Sequence, residues 1–202
     1  RETVLEAHAR ILSAASKRQK QDWSGMGTTC TLGYIFRDPH TRLPRELLTA
    51  HVGDSRIARY REGIRDRCTF DHSHIQLAIK SGAMPERADE FGDPEIDARL
   101  AAMHEGLREF IRNHRNEITR HLGQHDALDV DTARIPLATG DTFEFTTDGV
   151  HDNLLDAEMS AIGLAHLGKP ADHARALVHI AHERSLTDHP RAKSDDITAV
   201  VA

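Results

Sequence analysis

Leu47-Leu48-Thr49-Ala50-His51-Val52-Gly53-Asp54-Ser55-Arg56, continued by Ile57-Ala58-Arg59-Tyr60-Arg61-Glu62-Gly63-Ile64-Arg65-Asp66-Arg67-Cys68, decides the architecture of this chain. Residues 47–52 form a strand candidate rich in apolar and β-branched side chains, and it ends in Gly53-Asp54. Residues 57–61 and 64–68 flank Glu62-Gly63 and read as a hairpin with a short turn. Strands that follow one another through hairpins, without a helix between them, predict antiparallel pairing.

The same pattern extends in both directions. Residues 2–20 place Val4, Leu5, Ile11, Leu12 and Ala15 at helical spacing, and Ser24-Gly25-Met26-Gly27 then marks a loop. Residues 28–36 read as a strand. Beyond the hairpin, 75–81 reads as a short helix stopped by Gly82, and 86–92 as a polar, mobile stretch. Ile96, Leu100, Met103, Leu107, Phe110 and Ile111 mark one face of a single longer helix over 95–116. Residues 128–137 hold one or two short strands. In 142–147, Phe143 and Phe145 alternate with Glu144, and this strand runs straight into Asp148-Gly149-Val150. Asp156 reads as the cap of a helix to 167, Gly168-Lys169-Pro170 breaks it, a second helix covers 171–184, and 197–201 is a final strand. The expected fold is α+β, an antiparallel β-sandwich flanked by helices on both sides, in one domain spanning 1–202.

Composition narrows the function. The chain has 202 residues, 26 basic against 32 acidic, for a formal charge of -6, and a general nucleic-acid binder is expected to be basic. No apolar run approaches the ~20 residues of a membrane helix, so neither a nucleic acid nor a membrane is an expected partner and the cytoplasm is the expected location. Cys30 and Cys68 do not make a disulfide scaffold and read as buried core residues in a reducing compartment. The 15 histidines are scattered. The close pairs His72/His74, His121/His125 and His179/His182 fall short of the ligand set of a zinc site. Ser55 lacks the surroundings of a hydrolase nucleophile.

Three aspartates share a local grammar. Asp54 ends the strand 47–52, Asp148 ends the strand 142–147, and Asp195, followed by Asp196, precedes the strand 197–201. Short carboxylates fixed by strand ends, two of them beside glycine, suit hard cations such as Mg²⁺ and Mn²⁺, which take oxygen ligands and keep several waters. Each alone is better explained as a turn or cap residue.

Taken in order, Met26-Gly27-Thr28-Thr29, His51-Val52-Gly53-Asp54-Ser55-Arg56, Phe70-Asp71-His72-Ser73, Asn116-Glu117-Ile118-Thr119-Arg120-His121-Leu122-Gly123, the Gly140-Asp141 to Val150 segment and Asp195-Asp196-Ile197-Thr198 resemble the type 2C family of metal-dependent serine/threonine protein phosphatases. The resemblance runs from about Met26 to the end. It implies two packed antiparallel sheets with helices outside and a cleft at one end of the sandwich. Two Mn²⁺ or Mg²⁺ ions there hold the water that attacks phosphorus in a phosphoserine or phosphothreonine protein. It implies metal ligation by Asp148 and Asp195. Asp54 would contribute to a third, weaker metal, and Gly27, Thr28, Thr29 and Arg56 would be structural.

Two departures bear on that reading. Asp196 stands where the family usually has asparagine. The family's opening acidic ligand, its Asp-Gly-x-Gly-Gly segment and its phosphate-binding arginine have no counterpart in this chain. Residues 1–20 instead resemble the helix that follows that segment, so the chain, opening at Arg1 without methionine, is expected to lack the domain's first strands. The segment 82–114 lies where the family carries a flap, and reads either as a helical flap that helps select substrate or, equally, as a solvated surface helix. Two other functions compete with a protein phosphatase: a non-catalytic phosphatase-like regulatory or binding domain, and a small-molecule phosphohydrolase.

Overall fold

The computed structural model describes residues 1–17, 26–124 and 127–202. The loop reading at Ser24-Gly25 and the partner of His121 at His125 lie outside them. Helix α1 (Glu2–Lys17) precedes β1 (Cys30–Arg37), β2 (Pro44–Val52), β3 (Arg56–Arg61) and β4 (Ile64–Arg67). Three helices follow: α2 (His74–Lys80), α3 (Pro94–Met103) and α4 (Leu107–His114). Strands β5 (Asp131–Pro136) and β6 (Thr142–Thr146) come next. The chain closes with α5 (Asp148–His151), α6 (Asp156–Ala165), α7 (Pro170–Ser185) and β7 (Ala199–Val201).

The described strands form two antiparallel sheets, ordered β1-β2-β5 and β4-β3-β6-β7. Leu47 from the first sheet meets Ile57 and Phe143 from the second, and these three buried side chains make the inter-sheet core. On the outer face of the first sheet, Val4 of α1 packs with Ala50, Val52, Leu122 and Val130. Against the second sheet, Val150, Leu154, Met159, Leu177 and Ala181 from α5 to α7 pack with Ala199 and Val201. The layers are therefore helix, sheet, sheet, helix, and each fully buried Leu, Ile or Met stabilises the stack by roughly 1.5–3 kcal/mol. At the opposite end of β6 from Asp148, Gly33, Ile35, Leu47, Phe143 and Phe145 line an apolar cavity of about 510 Å³ between the sheets. Edge strand β1 leaves Leu32, Tyr34 and Ile35 exposed.

The alternation around Glu144 hides a second buried layer. Glu144 is buried and ion-pairs with Arg65 at 2.8 Å, accepts from Tyr60 Oη at 2.8 Å, and faces His173 of α7 at 3.2 Å. A charge on a strand's outer face is satisfied there by helices and strands, not by water.

Four local expectations are corrected. The 95–116 helix is two helices. His104 leaves helical backbone (φ -164°) and Gly106 caps α4, although the apolar spacing runs through the break. The helix beginning at Asp156 is capped by Leu155, whose N–H donates to the Glu158 side chain at 2.8 Å. Cys30 and Cys68 are free thiols that are half-buried, packed against the margins of the core rather than within it.

The stretch 86–92, expected to be mobile, is pinned. It contains a 3-10 turn at Ala88–Glu90, its Ala88 and Phe91 pack with Ile96, Leu100 and Ile111, and Asp89 accepts from Arg56 at 2.8 Å and Arg67 at 2.9 Å. Buried Arg191 also donates to the carbonyls of Asp89 and Phe91. Its polar residues serve buried ion pairs from distant segments, which a local reading cannot see.

Candidate active site

Strand register brings the three aspartates to one end of the sandwich. Arg56 pairs with Thr146 across β3 and β6, and Thr146 pairs with Ala199 across β6 and β7. Asp54 lies just before β3, Asp148 just after β6 and Asp195 just before β7, so antiparallel pairing gathers positions that are 94 and 47 residues apart in sequence.

Close backbone contacts hold these turns. Gly149 N–H donates to Asp148 Oδ1 at 3.0 Å, and a Cβ on Gly149 would overlap the carbonyl oxygen of Asp196. Glycine follows Asp148 because the Asp195-Asp196 segment crosses it at van der Waals distance. Thr147 Oγ1 donates to that same carbonyl at 3.2 Å and accepts from Thr198 N–H at 3.0 Å. Gly53 adopts φ +107°, and its N–H donates to His72 Nδ1 at 3.1 Å, while His72 Nε2 faces Asp131 at 3.1 Å. Thr29 Oγ1 bonds Ser55 Oγ at 2.9 Å, and Thr28 bridges Leu122. These residues, with Arg56, build the floor on which Asp54 stands.

Two further side chains join the site. Lys193 Nζ donates to Asp148 Oδ2 at 2.6 Å and Asp152 Oδ2 at 2.8 Å, and pairs with Asp195 Oδ2 at 2.9 Å. Asp152 follows Asp148 by four residues on the same helical turn, and that i, i+4 spacing was the available signal for it. Nothing local announced Lys193. Its role exists only because two segments meet.

The charges of the site perturb one another. Burial pushes Asp54 up to about 7, and the neighbouring carboxylates of Asp148, Asp71 and Asp152 push the same way. Among the described residues no cationic side chain pairs with Asp54. Burial raises Asp152 beyond what Lys193 offsets. At Asp195, burial is outweighed by the Lys193 ammonium and the Asp196 N–H, and the carboxyl stays below its usual range. Lys193 is itself held above the usual lysine range, since Asp152 and Asp148 outweigh its burial.

The donor chemistry suits a hard divalent ion. Asp148 and Asp195 reach one common point with oxygen atoms, and such ions bind through one or two carboxylates plus waters. Among the described residues no group of three or more His, Cys, Asp or Glu is preassembled around a metal position, and Nζ of Lys193 lies between the carboxylates of Asp148, Asp152 and Asp195. The residues fit one such ion and, by themselves, not a two-metal centre.

No family profile matches the chain. It is 26% identical over 172 residues to the protein phosphatase PhpP of Streptococcus pneumoniae, an alignment covering 85% of this chain and 58% of that protein. The serine/threonine phosphatase Stp1 of Staphylococcus aureus superposes with a TM-score of 0.75 at 22% identity, covering all of this chain and 65% of that one. The chain is similar in sequence and fold to serine/threonine protein phosphatases. The catalytic domain of the serine/threonine protein phosphatase PstP in complex with two manganese ions shares this fold, with a TM-score of 0.68 at 20% identity, covering 96% of this chain and 65% of that one. The chain spans 52–58% of the length of the curated phosphatases it matches first.

Proposed function

We propose that the chain takes part in metal-dependent hydrolysis of phosphoserine and phosphothreonine in proteins. The observation that carries this reading is the convergence of Asp148 and Asp195 on one point, with Asp54 in electrostatic reach. A Mn²⁺ or Mg²⁺ ion bound there would supply a water of lowered pKa and charge stabilisation for the displaced oxygen, as such ions do in phosphatases. The described residues provide for one ion only, so the proposal does not extend to the two manganese ions of the PstP structure or to a third ion near Asp54. Asp148 and Asp195 would hold the ion, the Thr147 and Gly149 contacts would keep the two carboxylates together, and Asp54 would add negative potential. A protein substrate fits the shape: α3 and α4 stand beside the Arg56–Asp89 anchor, and Arg108 and Arg112 line an open cleft of about 390 Å³ with Glu105 and Glu109. In that reading 82–114 is a substrate-selecting flap, anchored at its base. Arg112→Ala would slow hydrolysis of a phosphothreonine peptide while leaving p-nitrophenyl phosphate turnover unchanged; equal effects on both substrates would refute this role. Among the described residues no helix is long and apolar enough to cross a membrane.

A second reading, a non-catalytic phosphatase-like regulatory domain, is favoured by one observation: an ammonium group already stands where the cation is needed. Hydrolysis of p-nitrophenyl phosphate by the 202-residue chain, with Mn²⁺ and with chelator, separates the two. The phosphatase reading predicts manganese-dependent turnover that falls at least 100-fold in Asp148→Asn, the scale expected when a charge-stabilising group is lost. Absence of turnover together with absence of Mn²⁺ binding would refute the metal reading of this site and favour the regulatory one.

A further inference from the structure

We propose that Lys193 is a tethered counter-ion that competes with divalent metal for the Asp148, Asp152 and Asp195 carboxylates, so that the cleft stands assembled without metal and admits an ion only when the ammonium swings out. The inference rests on the metal reading above and goes beyond it, since that reading needs only the carboxylates.

Three features carry it. A single Nζ lies 2.6, 2.8 and 2.9 Å from oxygens of three different carboxylates, so all three donor N–H bonds of the ammonium are used. The side chain is only 11% exposed, which is uncommon for lysine and marks a fixed position rather than a surface contact. The backbone that aims it is also fixed. Lys193 N–H donates to Asn153 Oδ1 at 3.0 Å, and Asn153 Nδ2 donates to the carbonyls of Lys193 at 3.0 Å and Gly149 at 2.9 Å. Asn153 is wholly buried, so one side-chain amide joins the segment bearing Lys193 and Asp195 to the turn bearing Asp148.

The physical consequence is competition. Three carboxylates gathered at one place repel one another and require positive charge to remain together. The ammonium provides one charge at hydrogen-bond distances of 2.6–2.9 Å, whereas Mg²⁺ requires oxygens at about 2.0–2.1 Å, so the two cations cannot share the position. Metal affinity is then reduced by the fraction of molecules whose lysine is out of the cleft. The same bonds make the apo fold independent of metal at this end of the sandwich.

Mn²⁺ titration of the 202-residue chain, with free Mn²⁺ read by electron paramagnetic resonance, tests this. Lys193→Met is expected to bind Mn²⁺ at least tenfold more tightly than the unsubstituted chain, and Lys193→Met/Asp148→Asn to lose that gain. Lys80→Met, which removes a lysine outside the cluster, controls for net charge and is expected to shift affinity less than twofold. A second measurement needs no variant: amine-reactive labelling of Lys193 in the unsubstituted chain, read by peptide mass, is expected to accelerate at least threefold in saturating Mg²⁺. Equal Mn²⁺ affinity of the chain and Lys193→Met, or unchanged labelling in Mg²⁺ despite binding, would overturn the lysine's role and leave the metal reading standing. Failure of both proteins to bind Mn²⁺ would overturn the metal reading, and this inference with it.

Discussion

Arg56→Met is expected to destabilise the chain by about 3–5 kcal/mol, because it removes one partner of a buried charge network while leaving the other charges in place. Arg56 is 6% exposed. It donates to Asp71 through Nε at 3.1 Å and Nη2 at 2.7 Å, and to Asp89 at 2.8 Å. Burial works against ionisation of both carboxyls, yet Arg56 and Arg67 outweigh it and hold Asp71 below its usual range and Asp89 at about 2. In the variant Arg67 alone faces two buried carboxylates, and the 3-10 turn that carries Asp89 loses its tie to β3. At roughly 2–4 °C per kcal/mol for a chain of this size, the melting temperature at pH 7 falls by about 6–20 °C. Arg56→Lys recovers part of this, since an ammonium cannot reproduce the bidentate fork. The pH dependence has a definite sign. Asp89 ionises more readily in the fold than in the unfolded chain, so its contribution is complete above about pH 4 and is lost as pH falls toward 2. That acid limb shrinks in Arg56→Met. A thermal shift of less than 2 °C would contradict the network's role.

Asp54→Asn is expected to act in the opposite direction and stabilise the chain at pH 8 in chelator by about 3 kcal/mol, at 1.36 kcal/mol per pKa unit with some discount for partial exposure. Burial first, then Asp148, Asp71 and Asp152, push the Asp54 carboxyl up to about 7. The fold therefore keeps a proton that the unfolded chain releases near pH 4. The associated stability is complete below about pH 4 and lost as pH rises toward 7. His51 runs the other way. Burial and the neighbouring His72 push it down to about 4, so its contribution is complete above about pH 6.5 and lost as pH falls toward 4. In the unsubstituted chain these two slopes oppose each other between pH 4 and 7. Asparagine removes the falling one, so the variant gains stability with pH across that window and matches the parent near pH 4. Urea unfolding between pH 4 and 8 measures this directly. Equal stability at pH 8 would show that Asp54 is not strained by its neighbours. A side chain that costs stability where it stands is a functional candidate on physical grounds.

Much of the frame was legible. Apolar alternation located β6, residues 47–52 read as the strand that became β2, and the hairpin at Glu62-Gly63 located β3 and β4 and fixed antiparallel order. The aspartates at strand ends could be named because a strand end is a local property. What escaped were features that exist only after distant segments meet. Asp89 looked like part of a mobile polar run until Arg56 and Arg67 reached it. Lys193 carries no local signal, and its role exists only because the end of β6 brings Asp148 and Asp152 to it. The break at His104–Gly106 was invisible because Met103 and Leu107 keep helical spacing across it. Glu144 read as the outward side of a strand, and only the presence of α7 shows that this face is a second core.

The most direct measurement is a crystal structure of the chain grown with MnCl₂, with anomalous data collected at the manganese edge. The metal reading predicts an anomalous peak coordinated by the carboxylates of both Asp148 and Asp195, with Lys193 Nζ displaced from between them. An anomalous map without manganese at that position, and Lys193 still bonded to all three aspartates, would contradict it.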